Sequence, residues 1–185
     1  MAVALLASGC SEDEPGIASP QRSSEVPSGP VTQESSPGPS SQNSSDMSGV
    51  EPCSIIEPEE LVEIGAYEEG SSRLANSGRV CEWKEQRGPD GVSATLTLTI
   101  REGANLDSVR DLGSGLQRGI IEASGRKVVR TWNTQHTGCL VVMAVSQNER
   151  VEVGLSEVSG SFDNEEACRM VDKVVEIVDP KLPLG

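Results

Sequence analysis

An α+β fold, an antiparallel sheet of about five strands with helices packed on it and stapled by two disulfides, is predicted for residues 51–185 by three observations. Val92 to Ile100 alternates strictly between apolar and polar residues. An amphipathic stripe runs through the last stretch of the chain. Four cysteines fall within the segment, an even set.

Taken in order, Glu57-Pro58-Glu59-Glu60-Leu61-Val62-Glu63-Ile64-Gly65 has proline at a first helical position, acids in the first turn and glycine at the end, which predicts a short helix. A short strand is expected around Val80 to Lys84. The next strand places Val92, Ala94, Leu96, Leu98 and Ile100 on one face and Ser93, Thr95, Thr97 and Thr99 on the other, so it is buried on one side only. Leu106, Val109, Leu112, Leu116 and Ile120 recur at three- and four-residue spacing and predict a second helix, softened by Gly113, Gly115 and Gly119. Lys127 to Trp132, Cys139 to Ser146 and Val151 to Leu155 predict three more strands in an antiparallel meander, the last two joined by a turn around Gln147-Asn148-Glu149. Asp163 and Glu166 have capping-box spacing, Cys168, Val171, Val175 and Val178 form a stripe, and Asp179-Pro180 stops the final helix.

Ahead of this domain the composition differs. Residues 1–10, Met-Ala-Val-Ala-Leu-Leu-Ala-Ser-Gly-Cys, are apolar and end in small residues before a cysteine, the pattern of a lipoprotein signal peptide with Cys10 as the lipid-attachment residue. Ala7 stands where that pattern prefers Leu, and no Lys or Arg precedes the short apolar region, so a start upstream of Met1 is expected. Residues 11–50 form a tether: 22 of the 40 are Ser, Pro or Gly, too few apolar groups to offset the entropy of ordering them. As a flexible coil this tether reaches about 35–40 Å, and its prolines extend it somewhat. Together these features place the protein outside the cytoplasm, on the outer face of the cell membrane.

An exported domain with Cys53, Cys81, Cys139 and Cys168 is expected to carry two disulfides, with three possible connectivities. Sequential pairing, Cys53 with Cys81 and Cys139 with Cys168, closes two loops of similar length and ties each terminal helix to a strand. A zinc site would need cysteines closely spaced, which no pair provides; the one histidine, His136, is separated from Cys139 by two residues, and disulfides are the preferred reading. Neither metal nor cofactor is expected.

Charge removes one class of partner. Fifteen basic against 29 acidic residues give a net charge of −14, which repels phosphate backbones, so nucleic acid is not an expected partner. The aromatics are only Tyr67, Trp83, Trp132 and Phe162, leaving the core to Val, Ile and Leu. No apolar run reaches the roughly 18–20 residues that cross a bilayer as a helix.

Pro52-Cys53-Ser54-Ile55-Ile56 leading into Pro58-Glu59-Glu60-Leu61, then Cys81-Glu82-Trp83, Gly138-Cys139-Leu140-Val141-Val142, Cys168 and Leu182-Pro183 form a recognisable set. With the cysteine motif and tether in front, residues 51–185 resemble a family of actinobacterial lipoproteins catalogued only as a domain of unknown function (DUF3558). Glu57 stands where that family more usually has Thr. The resemblance implies a cell-surface location and two disulfides, and no activity.

Catalytic arrangements find little support in the residues. His136 sits among Thr134, Gln135 and Thr137 in a polar connection and reads as a solvated loop histidine. In Gly113-Ser114-Gly115 the glycines flank the serine directly, unlike a nucleophile elbow, and Arg118 stands where a dinucleotide fingerprint needs its third glycine. Glu57, Glu59, Glu60, Glu63, Glu68 and Glu69 crowd one region with only Tyr67 as an aromatic, which reads as an acidic helix start favoured by the helix dipole. No catalytic residue is assigned. The expected function is a non-catalytic binding or interaction module of the bacterial envelope, with an unknown envelope component or protein as partner; the alternative is an envelope hydrolase with a carboxylate site. A local reversal of charge marks a candidate surface: Arg126, Arg130 and Trp132 would contact an anionic envelope component, unless the charges only protect an edge strand from pairing.

Overall fold

The computed structural model describes residues 46–75, 78–85, 94–158 and 162–184. Cys10 and the tether up to residue 45 lie outside the described residues, as do Val92 and Ser93 at the head of the alternating strand. The described chain forms one antiparallel sheet of seven strands: β1 (Ser71–Ala75), β2 (Gly78–Lys84), β3 (Ala94–Glu102), β4 (Gln117–Ile120), β5 (Lys127–Trp132), β6 (Gly138–Ala144) and β7 (Glu149–Glu157). They lie in the order β1-β2-β3-β7-β6-β5-β4. Among the described residues the single long helix, α1 (Asn164–Val178), packs on β6 and β7.

The alternation in β3 works as expected. Ala94, Leu96, Leu98 and Ile100 are buried, and cross-strand pairing continues their rows through the sheet: Trp83, Leu96, Leu155 and Cys139 form one, and Cys81, Leu98, Val153 and Val141 the next. Against these rows α1 presents Ala167, Val171, Val174, Val175 and Val178, all buried. The Asp163 carboxylate caps the helix by accepting from the Glu166 amide at 2.9 Å. Cys53 is bonded to Cys81 of β2, and Cys139 of β6 to Cys168 of α1.

Four expectations need correction. The sheet has seven strands, since β1 and β4 also pair with it. The helix expected over Leu106–Ile120 is instead a single 3-10 turn at Leu106–Ser108 followed by extended chain and β4. Its regular leucine spacing buries little: Val109 alone of that stripe is buried, against Val129 and Val142, while Gly113 and Gly115 adopt left-handed backbone (φ +119° and +88°) that breaks a helix. The Asp111 carboxylate accepts from both of their amides, at 2.8 and 2.9 Å, and holds the bend.

The helix expected from Glu57 to Gly65 is one 3-10 turn, Pro58–Leu61, capped reciprocally by Glu57 and Glu60. Leu61 is buried and Ile64 packs partly against the core, but Val62 points to solvent, so the segment turns once and does not extend as a helix. Finally, the domain begins before Glu51. Met47 is 1% exposed in the core, and the Arg79 guanidinium donates to the Met47 carbonyl at 2.6 Å and to that of Val50.

The other face of the sheet is unevenly covered. Over β5 and β6 the 105–116 segment lays Leu106 and Val109 on Val129, Val142 and Leu140. Its turn is pinned by Arg150, whose Nη1 donates to the Asn105 carbonyl at 2.5 Å and to Ser108 Oγ at 2.8 Å while its Nε donates to Glu152 at 2.8 Å. Beyond that cover, Thr95 and Thr97 of β3 remain half-exposed.

Candidate functional site

Strand β5 carries the residues singled out by charge, and alternation sorts them. Val128, Arg130 and Trp132 project toward the α1 side of the sheet, where α1 covers β6 and β7 and leaves β4 and β5 as an open ledge. Between that ledge and the first turns of α1 lies a cleft of about 380 Å³ lined by Gln117, Arg130, Trp132, Asn164, Glu165 and Cys168. Gln117 of β4 lies directly opposite Arg130, and Trp132 opposite the disulfide-bonded Cys139.

The helix is locked beside this ledge by its first residue. Asn164 Oδ1 accepts from the Gly138 amide at 2.8 Å and Nδ2 donates to the Asn133 carbonyl at 2.7 Å, joining α1 to the β5–β6 connection. From the other side Ser114 Oγ accepts from the Trp132 amide at 2.9 Å. That bond gives the glycine-flanked serine a structural role.

Charge in the cleft is balanced. Arg130 Nη2 pairs with Asp172 of α1, both about two-fifths exposed (36% and 40%), and Glu165 pairs with Arg169 one turn on, at 3.5 Å. The expected basic patch is therefore absent at this point, and Arg126 does not join it. Its side chain is 3% exposed and turned inward. Nε donates to Asp179 Oδ1 at 2.6 Å, Nη1 to the Ala144 carbonyl at 2.6 Å, and Nη2 to the carbonyl of Pro183 at 3.0 Å. Arg126 is thus a clamp for the carboxyl-terminal tail, and a surface contact through it is ruled out by burial. Arg130 and Trp132 do meet; Gln117, Asn164 and Glu165, which with Cys168 complete the cleft, carry no sequence signal, since Gln117 falls within the stripe that predicts a helix and Asn164 and Glu165 are ordinary polar residues at a helix start.

Two further concavities bear on the hydrolase alternative. A groove of about 930 Å³ at one end of the sheet includes Asp107, Arg118, Lys127 and Leu184 in its wall. A trough of about 350 Å³ on the opposite face has Gly138 and Gly154 on its floor and Leu112, His136 and Leu140 around it. His136 is exposed, as expected of a loop histidine. Among the described residues each of the three clefts has one acidic residue in its wall: Glu165, Asp107 and Glu157. The six clustered acids of residues 57–69 line none of them. Glu60 is held below the usual carboxylate range by its bond from Lys181, a structural contact with the carboxyl-terminal turn.

A family described as "Protein of unknown function (DUF3558)" matches the chain over residues 5–181. No curated protein matches it.

Proposed function

We propose, for a chain that belongs to the DUF3558 family and takes no activity from its description, that it is a lipid-anchored, non-catalytic binding module on the outer face of the cell membrane of an actinobacterium. The observation that carries this reading is the cleft beside α1: a half-buried indole, a guanidinium already paired to Asp172 and a carboxamide, with one acidic residue in its wall. Such a wall offers stacking and hydrogen bonds. Glycoside hydrolysis by the usual route needs two carboxyl groups facing each other across the bond to be cleaved, and among the described residues none of the three clefts brings two acidic residues together. The two disulfides support an oxidising compartment, and the Cys10 motif supports attachment there.

The test has two parts. Expressed from its full native start, the protein is expected to fractionate with membranes and to have an acylated Cys10 as its mature amino terminus by intact mass; an unmodified Cys10 refutes the anchor. Immobilised wild-type protein is expected to retain a component of solubilised envelope that folded Trp132→Ala does not. Equal retention by both removes the cleft from the function.

A further inference from the structure

We infer that the cleft beside Trp132 takes an uncharged, hydroxyl-rich ligand, a glycan, with the indole as the platform on which a sugar ring stacks. This rests on the binding-module reading and adds to it the class of ligand.

The two tryptophans have opposite environments. Trp83 is sealed in the core at 1% exposure, whereas Trp132 keeps part of its surface in the cleft. An indole left half-exposed offers a flat apolar face and a polar edge. A pyranose ring matches that combination, since it presents C–H groups on one face and hydroxyls around its rim.

Electrostatics selects against the charged alternatives. Each cation near the cleft has its acid: Arg130 has Asp172 and Arg169 has Glu165. With both arginines already neutralised, the cleft has no net positive charge to draw an anion, within a protein whose net charge is −14. The Nε of Arg130, without a partner among the described residues, still has a proton to donate to a neutral acceptor. A cationic ligand would have to displace an arginine. A neutral ligand disturbs neither pair.

Hydrogen-bonding capacity fits as well. Hydroxyls both donate and accept, and the wall supplies planar groups of each kind: the Gln117 carboxamide, the Arg130 guanidinium and the Glu165 carboxylate. Planar groups with two polar atoms can meet neighbouring hydroxyls in pairs, a geometry a single-point group does not offer. The opening of about 380 Å³ is within the range of small-ligand sites. Past Arg130 the ledge continues to Gly119, which pairs with Val128 and places no side chain in the way.

The experiment uses the full chain carrying Cys10→Ala, with tryptophan emission and calorimetry as readouts. The probes are neutral trisaccharides of glucose, mannose, arabinose and N-acetylglucosamine, with heparin and inorganic phosphate as anionic comparators. At least one neutral trisaccharide is expected to shift tryptophan emission saturably and without dependence on salt. Trp132→Ala is expected to abolish the shift and weaken binding by about tenfold or more. Gln117→Ala, on an exposed strand where folding is not at stake, is expected to weaken it by about two- to tenfold. Failure of every neutral trisaccharide, undiminished binding by folded Trp132→Ala, or binding of the anionic probes alone overturns the inference. Its failure is separable from that of the underlying reading. If envelope material is still captured by wild type and lost by Trp132→Ala, only the ligand class is wrong; if wild type captures nothing, the module reading falls too.

Discussion

Replacing Arg126 by methionine should be among the most destabilising single changes in the domain, although by sequence it belongs with the surface arginines. The side chain is removed from a site where Asp179 is 4% exposed. The remaining neighbour that donates to that carboxylate is Ser124 Oγ at 3.0 Å, and the carbonyls of Ala144 and Pro183 lose their guanidinium donor. Leaving one member of a buried ion pair uncompensated costs about 3–5 kcal/mol. For a domain of this size that lowers the melting temperature by about 10–15 °C. Arg130→Met breaks a pair that is more than a third exposed on both sides, and should cost no more than about 1 kcal/mol. The assay is urea denaturation of both variants with the disulfides intact, followed by the emission of the buried Trp83. Adding Asp179→Leu to Arg126→Met should recover part of the loss and reveal the coupling between the two. Equal costs for Arg126→Met and Arg130→Met would refute the argument that burial separates them.

Two further outcomes follow from the geometry. The disulfides join cysteines 28 and 29 residues apart, so replacing both members of either bridge by serine should cost about 3–4 kcal/mol, read from the same denaturation curves; a change below about 1 kcal/mol would contradict the loop-closure account. Tyr67, the one tyrosine, has its hydroxyl buried, and burial first and the Glu85 charge second push its phenol up to about 12. Because the folded value lies above the unfolded one of about 10, the stabilisation is whole below pH ~10 and is lost as pH rises through ~12. Phenolate absorbance should therefore appear near pH 12 in the native protein and near pH 10 in denaturant. Native titration near pH 10 would overturn the assignment of Tyr67 to a desolvated site.

What could be read from residues alone depended on how much apolar surface each element buries. β3 and α1 each show one clean apolar face because each is buried on one side, and β5, β6 and β7 stand out through runs of valine. β1 and β4 are edge strands whose residues are almost all exposed, so neither carries a periodic signal. Leu106, Leu112 and Leu116 imitate a helix while the left-handed glycines between them forbid one. The cysteine pairing followed from even count and loop length. Arg126 looks like a surface residue in the sequence because its partner Asp179 lies 53 residues away, a contact that only the tertiary structure reveals. Arg130 and Trp132 were grouped correctly because strand alternation alone places them on one face.

The position of the first disulfide also determines how the domain bears force. A pull applied through the chain ahead of residue 46 enters at Met47, where the carbonyl bonds from Arg79 resist it first. If those bonds yield, the chain can peel only as far as Cys53, because its bond to Cys81 then passes the load covalently into β2. β2 is held between β1 and β3, so the tension spreads into the sheet through paired strands. A domain drawn along or away from a surface would lose a few entry residues and keep the α1 cleft intact. With that bond reduced, the same pull would continue through Leu61 and open the core from its edge.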